Sequence, residues 1–76
     1  MSLILYQFEA CPYCAKVRAA IKELAVELEV RDTRENDNYR EELLAMTGKT
    51  QVPCLLIDGK PMHESDDIVA YLKENF

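Results

Sequence analysis

Three cysteines are the residues of this 76-residue sequence best suited to chemistry. Cys11 and Cys14 form a Cys-x-x-Cys pair with Pro12 and Tyr13 between them, and Cys54 lies far along the chain. An odd number of cysteines is a poor disulfide framework, and a Cys-x-x-Cys pair in a reducing compartment is typical of redox or metal chemistry. The spacing therefore predicts thiol chemistry at the first two cysteines.

The pair lies where a predicted strand passes into a predicted helix. Residues 3–8 form an apolar run, Pro12 suits the first position of a helix, and Cys11 suits the cap before it. The unpaired amides and the dipole of a helix N-terminus favour a thiolate there. Cys14 follows one helical turn later, so we expect Cys11 to be an exposed nucleophile and Cys14 a buried resolving thiol.

The remaining elements follow from hydrophobic periodicity and turn residues. In the first half of the chain, the sequence predicts a strand over 3–8, a helix from Pro12 to near Ala25 and an alternating strand over 26–31. A helix capped by Asn38 and stopped by Gly48 follows. In the second half, the sequence predicts a central strand over 52–57, an Asp58-Gly59 turn, an edge strand over 60–63 and a helix capped by Ser65. This order, β-α-β-α-β-β-α, predicts an α/β fold with one mixed four-stranded sheet flanked by three helices. We expect a single domain over 1–76.

Composition and charge exclude several classes of partner. The formal net charge is −5 and hydrophobic residues make up 49% of the chain, so we expect a folded protein that binds no nucleic acid and no membrane. No basic segment precedes the first apolar run, and we expect a cytoplasmic monomer. Cys54 is expected in the core and His63 at an ordinary edge position. Arg31, Arg34 and Glu35 are expected to be solvated loop charges.

The cysteine motif and two further segments resemble the dithiol glutaredoxins over nearly the whole chain. Gln51-Val52-Pro53 is similar to the family's Thr-Val-Pro segment, whose proline is cis. Residues 64–68 fall where the family binds the γ-glutamyl end of glutathione. The resemblance implies a thioredoxin-like fold and a glutathione-dependent thiol-disulfide oxidoreductase, with glutathione as co-substrate and with glutathionylated or disulfide-containing proteins as partners.

The resemblance also implies a set of site residues. Cys11 and Cys14 are the catalytic pair, and the residues expected to bind glutathione are Tyr13, Arg40, Gln51, Val52, Pro53, Ser65, Asp66 and Asp67. Helix N-terminal amides suit the γ-glutamyl carboxylate, and either aspartate suits the ammonium group. The backbone of Val52 suits strand-like hydrogen bonds to the central residue. Lys49 is an alternative to Arg40 and Gln51 for the glycine carboxylate.

The sequence departs from the family pattern at two places. Phe8 stands where the family usually has a lysine, three residues before the first cysteine, and the acidic Glu9 follows it. His63-Glu64 replaces a Gly-Gly pair before the last helix. Glu64 followed by serine also resembles the N-terminal domains of glutathione transferases, which leaves a non-catalytic binding module as an alternative.

Metal binding is the remaining alternative. Cys11, Cys14, Cys54 and His63 together are a Cys3His set that zinc accepts in principle. Only one Cys-x-x-Cys pair is present, and Cys54 is expected to point into the core, so we expect no metal. Some relatives form a cluster-bridged dimer with glutathione, but Pro12 resembles the members that do not.

Overall fold

The computed structural model describes residues 2–76, so Met1 of the expected domain lies outside it. The predicted element order is confirmed. The strands are β1 (Leu3–Gln7), β2 (Glu29–Asp32), β3 (Cys54–Ile57) and β4 (Lys60–Met62), and the helices are α1 (Pro12–Leu24), α2 (Asp37–Thr47) and α3 (Ser65–Asn75). No helix within 2–76 is long and apolar enough to cross a membrane.

The four strands form one mixed sheet in the order β2-β1-β3-β4. β2 runs parallel to β1, whereas β3 is antiparallel to both β1 and β4. The two apolar strands are therefore central, and β4, which contains Pro61, lies at an edge where a missing amide is tolerated. Asp58 and Gly59 both have positive φ, 50° and 86°, as a two-residue type I′ hairpin requires.

α1 begins and ends as the sequence predicts. Cys11 is its N-cap, Pro12 is its first residue, and Ala25 ends it in the left-handed region at φ 53°. The predicted start of β2 is wrong, because the chain leaves Ala25 in a turn and pairs with β1 only from Glu29. Val26 is buried in the core instead of occupying an alternating strand.

The predicted caps of the other two helices are also corrected. Asn36, not Asn38, caps α2, and its side-chain oxygen accepts the Asn38 N–H at 2.9 Å. Ser65 is the first residue of α3 and does not cap it, since Glu64 occupies the cap position without a side-chain hydrogen bond. Asp66 and the aspartate after it lie in the first turn, where they complement the helix dipole.

Alternate residues of the central strands face two separate hydrophobic clusters. The α1–α3 cluster lies under the first and third helices and consists of Leu3, Leu5, Val17, Ala20, Val26, Leu55, Ile68 and Leu72. The α2 cluster lies on the opposite face of the sheet and consists of Tyr6, Leu43, Cys54 and Leu56. Burial of Cys54 confirms its predicted place in the core.

The expectation that Arg31 is a solvated loop charge is wrong. Arg31 lies in β2 with its side chain only 24% exposed. Its Nη1 donates hydrogen bonds to Tyr6 Oη at 2.9 Å and to Glu42 Oε1 at 2.8 Å, and its Nε donates to Glu29. The guanidinium carbon also lies 5.7 Å and 5.5 Å from the ring centroids of Tyr6 and Tyr39. Arg31 thus covers the edge of the α2 cluster.

Candidate active site

The Cys-x-x-Cys pair lies at the N-terminus of α1, directly after β1. Cys11 has an extended backbone (φ −81°, ψ 118°), as an N-cap residue does, and its carbonyl accepts the first helical hydrogen bond from the Ala15 N–H at 3.0 Å. The Cys14 N–H donates to Cys11 Sγ at 3.3 Å. A backbone amide and the positive end of the helix dipole therefore both favour negative charge on this sulfur.

The expectation that Cys11 is an exposed group needs correction. Its relative exposure is 7%, so little of the residue meets bulk solvent directly. Cys11 instead lines an open cleft of about 340 Å³, which we call the cysteine cleft; the residues that line it are Phe8, Cys11, Thr33, Arg34, Arg40, Thr50, Gln51 and Val52. Since little of Cys11 is otherwise exposed, we expect a substrate to reach the sulfur through this cleft.

Cys14 and Cys54 are fully buried thiols on opposite faces of the sheet. Burial raises the pKa of Cys14 to about 12, and the hydrogen bond with Cys11 adds to this rise. Burial also raises the pKa of Cys54. Both side chains therefore stay protonated at neutral pH, which leaves Cys11 as the cysteine placed to act as a nucleophile.

A second cleft adjoins the first along the segment before Pro53. We call it the proline cleft; it measures about 240 Å³ and is lined by Tyr13, Gln51, Val52, Pro53, His63, Glu64, Ser65 and Asp66. The Val52–Pro53 peptide bond is cis, as the resemblance implies. Gln51 and Val52 line both clefts, so the two form one groove that passes the N-terminus of α1.

The structure brings most of the sequence-predicted site residues to this groove. Arg40 lies in the cysteine cleft, whereas Tyr13, Pro53, Ser65 and Asp66 lie in the proline cleft. Asp66 already forms an ion pair with Lys16, in which both side chains are largely exposed. Asp67 is exposed on the first turn of α3 and is not among the described residues that line either cleft.

Two features of the groove and one ion pair outside it are not predicted from the sequence. The guanidinium carbon of Arg34 lies 3.9 Å from the ring centroid of Phe8, in the cysteine cleft. Glu9 lies 3.6 Å from Arg18, so its charge is partly offset. His63 lines the proline cleft with a buried Nδ1 that has no hydrogen-bond partner within 2–76, and burial lowers the pKa of this imidazole. The contact between Phe8 and Arg34 joins residues that are 26 positions apart, which explains why local patterns do not reveal it.

The Cys3His set considered as a zinc site is not assembled. Among residues 2–76, no three His, Cys, Asp or Glu side chains are grouped so as to hold a metal ion. Cys14 faces the α1–α3 side of the sheet and Cys54 the α2 side, so the sheet separates two members of the set.

A larger open cleft of about 490 Å³ lies at the α2 end of the sheet. Its lining residues are Gln7, Glu9, Val30, Asp32, Glu35, Asn36 and Tyr39. None of the three cysteines lines it, and its three carboxylates disfavour an anionic ligand. The groove at the N-terminus of α1 is therefore the better candidate for an active site.

The sequence and the fold match two related groups of proteins. Residues 5–76 match the family described as glutathione S-transferase, N-terminal domain. Glutaredoxin 3 of Escherichia coli strain K12 is 32% identical over 66 residues, which cover 87% of this chain and 80% of that protein. The chain therefore belongs to the family of glutaredoxins and glutathione S-transferase N-terminal domains.

Solved structures give the same result for the fold. Isozyme E7 of glutathione S-transferase from Drosophila melanogaster superposes with a TM-score of 0.79 at 35% identity, over 99% of this chain and 35% of that one. Oxidized glutaredoxin 2 from Chlamydomonas reinhardtii superposes with a TM-score of 0.73 at 29% identity, over 97% and 73%. The fold is thioredoxin-like, and the chain spans about a third of the length of the transferase.

Proposed function

We propose that this chain is a glutathione-dependent thiol-disulfide oxidoreductase that reduces glutathione mixed disulfides and protein disulfides. The observation that carries the proposal is the Cys11 sulfur, which accepts the Cys14 N–H at 3.3 Å at the N-terminus of α1 and lines an open cleft. An amide donor and a helix dipole stabilise a thiolate, which is the attacking species in disulfide exchange. The similarity to glutaredoxin 3 supports the same reaction.

In the proposed reaction, the Cys11 thiolate attacks the glutathione sulfur of a mixed disulfide. A disulfide forms between Cys11 and glutathione, and the substrate leaves as a thiolate that takes a proton from solvent. The thiolate of a second glutathione then attacks the glutathione sulfur bound to Cys11. This step releases oxidised glutathione and restores the Cys11 thiolate, so each turnover consumes one free glutathione, and the mixed disulfide supplies the other half of the oxidised glutathione.

Reduction of a protein disulfide uses Cys14 as well. Attack by Cys11 gives a mixed disulfide with the protein, and Cys14 then loses its proton to solvent and attacks the Cys11 sulfur. The protein leaves with two thiols, and two molecules of glutathione reduce the Cys11–Cys14 disulfide. Because burial holds the pKa of Cys14 at about 12, we expect this resolving step to be slower than release by glutathione where both are available.

The groove suits a peptide with charged ends. In the proposed complex, the Val52 backbone pairs with the central cysteinyl residue beside Pro53, and the α3 amides at Ser65 and Asp66 hold the γ-glutamyl carboxylate. Asp66 or Asp67 binds the ammonium group of glutathione, and Arg40 or Gln51 binds its glycine carboxylate. Tyr13 contacts the backbone of the peptide. We also propose that the protein is a monomer, and that it acts in the cytoplasm because the reaction consumes reduced glutathione, which a reducing compartment maintains.

The test is the rate of reduction of a preformed glutathione mixed disulfide by three variants. We expect Cys11→Ser to reduce the rate to the uncatalysed background, because no other thiol in the groove is available. Cys14→Ser should retain most of this activity and lose much of the activity on a protein disulfide. Cys54→Ser is the matched control, and we expect both activities to persist in it because Cys54 lies on the other face of the sheet.

Two outcomes would contradict the proposal. Mixed-disulfide activity that survives in Cys11→Ser would mean that Cys11 is not the nucleophile. Loss of both activities in Cys14→Ser, with an unchanged circular dichroism spectrum, would point to an obligatory dithiol mechanism instead.

A non-catalytic glutathione-binding module is the second candidate. It is favoured by the match of residues 5–76 to the glutathione S-transferase N-terminal domain and by the position of Glu64 and Ser65 in the proline cleft. Calorimetry and the same assay separate the two candidates. Binding of glutathione by wild-type protein that reduces no mixed disulfide would favour the module.

A further inference from the structure

The cysteine cleft is positively charged although the protein is acidic. The chain carries a net charge of −5, yet the described residues that line this cleft include two arginines, Arg34 and Arg40, and no carboxylate. Neither arginine forms an ion pair with any residue in 2–76. Two unpaired guanidinium groups beside a reactive sulfur favour an anionic ligand.

Arg34 is held in this cleft by contacts with the segment that leads to Cys11. Its guanidinium carbon lies 3.9 Å from the ring centroid of Phe8, which is close enough for a cation–π contact. The backbone is fixed as well, because the Arg34 N–H donates to Asp32 Oδ1 at 2.8 Å and the Thr33 N–H donates to the Gln7 carbonyl at 3.0 Å. Less side-chain freedom is therefore lost when a ligand binds.

We propose that Arg34 binds a carboxylate of the disulfide substrate next to the sulfur that Cys11 attacks, and that Phe8 positions Arg34 for this purpose. The proposal rests on the proposed function and adds a residue that the resemblance does not assign. The aromatic ring at position 8 holds a cation that comes from the loop between β2 and α2. The preferred substrates are disulfides that carry a carboxylate close to the reacting sulfurs, and neutral disulfides react more slowly.

The first test needs no glutathione. Iodoacetate is anionic and iodoacetamide is neutral, so the ratio of their rates of alkylation at Cys11 reports the local charge. We expect Arg34→Gln to lower this ratio by about three- to tenfold in low salt, the size expected for one unit charge several ångströms away in a solvated cleft. The difference should shrink in 1 M salt, where charges are screened. Mass spectrometry confirms that the modified residue is Cys11.

Matched variants separate the local charge from the net charge and from the stacking contact. Lys73→Gln removes one positive charge at the far end of α3, and we expect it to leave the ratio unchanged. Phe8→Leu keeps Arg34 but removes the ring, so the ratio should fall part of the way, whereas Phe8→Tyr should restore it. An unchanged ratio in Arg34→Gln, or an equal fall in Lys73→Gln, would overturn the proposal.

The second test measures the substrate preference. Arg34→Gln should raise KM about three- to tenfold for a mixed disulfide of glutathione with free carboxylates, and should leave kcat nearly unchanged. A glutathione glycine amide lacks the carboxylate that Arg34 would hold together with Arg40 or Gln51, so wild type and Arg34→Gln should have the same KM for a mixed disulfide of this amide. Equal KM values of wild type and Arg34→Gln for the mixed disulfide with free carboxylates would contradict the role of Arg34 but not the proposed function. Absence of any turnover in wild type would count against the proposed function, while the alkylation ratio would still decide the role of Arg34.

Discussion

The two faces of the sheet are built in different ways. Two helices, α1 and α3, close one face, where they pack against each other as well as against the strands. A single helix, α2, closes the other face, and within residues 2–76 it does not pack against another helix as α1 and α3 do. Its outer surface leaves Leu44 and Met46 about half exposed, and Val30 of β2 is half exposed nearby. Arg31 and its polar partners cover the edge of the α2 cluster, beyond its last apolar side chains.

This difference assigns the two faces different parts in the proposed reaction. The α1–α3 face fixes the helix that carries both cysteines, since Cys14 and Val17 are fully buried against it. The α2 face carries the loop and helix that bring Arg34 and Arg40 to the cysteine cleft. Cys11 is therefore attached to the half that two helices close, and the two arginines of the cysteine cleft to the half that one helix closes.

The largest expected effect comes from removing one buried leucine from each face. Leu72 of α3 and Leu43 of α2 are both fully buried. We expect Leu72→Ala to lower the free energy of unfolding by about 4 kcal/mol and Leu43→Ala by about 2 kcal/mol, within the known range for such cavities. The reason is that α2 can move inward and fill part of its cavity, whereas α3 is held by α1. Urea denaturation of both variants measures the difference.

Lys73→Ala, an exposed change next to Leu72, is the control and should stay within about 0.5 kcal/mol of wild type. If Leu43→Ala proves as costly as Leu72→Ala, then α2 is held as firmly as α3, and the contrast between the faces disappears.

The α1–α3 face could be predicted from the sequence and much of the α2 face could not. The buried apolar residues of α1 and α3 recur at helical spacing, which can be recognised within a few residues of sequence. The apolar runs of β1 and β3 are recognised in the same local way. Arg31, by contrast, contacts Tyr6 of β1 and Tyr39 and Glu42 of α2, so its role depends on tertiary structure. The same holds for Arg34 on Phe8.

The candidate site divides in the same manner. The positions of Cys11 and Pro12 could be predicted, because the residue preferences of a helix cap and first turn depend only on the local sequence. The low exposure of Cys11 depends on a cleft that the loops of the α2 face build around it. The sequence predicts that Ser65 caps α3, but Glu64 occupies the cap position. The first residue of this helix depends on where the preceding strand ends, which the local sequence does not determine.

The second expected effect is a loss of stability at alkaline pH that originates on the α1–α3 face. Burial raises the pKa of Cys14 from the ordinary 9.0 to about 12. Between these values the unfolded chain loses this proton and the folded chain keeps it. Stability therefore falls as the pH rises above 9, by about 1 kcal/mol at pH 10 for this one thiol. Below pH 9 the effect vanishes.

Urea denaturation at pH 8 and pH 10 measures this loss, and Cys14→Ala should reduce it by about 1 kcal/mol relative to wild type. Cys54→Ala is the matched variant on the α2 face, where burial also raises the thiol pKa, and its effect should have the same sign. An equal loss in wild type and Cys14→Ala would show that water reaches this thiol in the folded state.

The smallest expected effect tests the polar edge of the α2 face. Arg31→Lys keeps the charge, but an ammonium cannot donate to Tyr6 and Glu42 while lying over two aromatic rings. Partly exposed ion pairs contribute little, so most of the loss comes from the stacking contacts, and we expect about 1 kcal/mol. Arg40→Lys, the same exchange at an exposed position, should change the free energy of unfolding by less than about 0.5 kcal/mol. Urea denaturation compares the free energies of unfolding of the two variants. Equal losses of stability would mean that Arg31 behaves as the solvated charge that its sequence context suggests. The α2 face would then be closed by apolar packing alone.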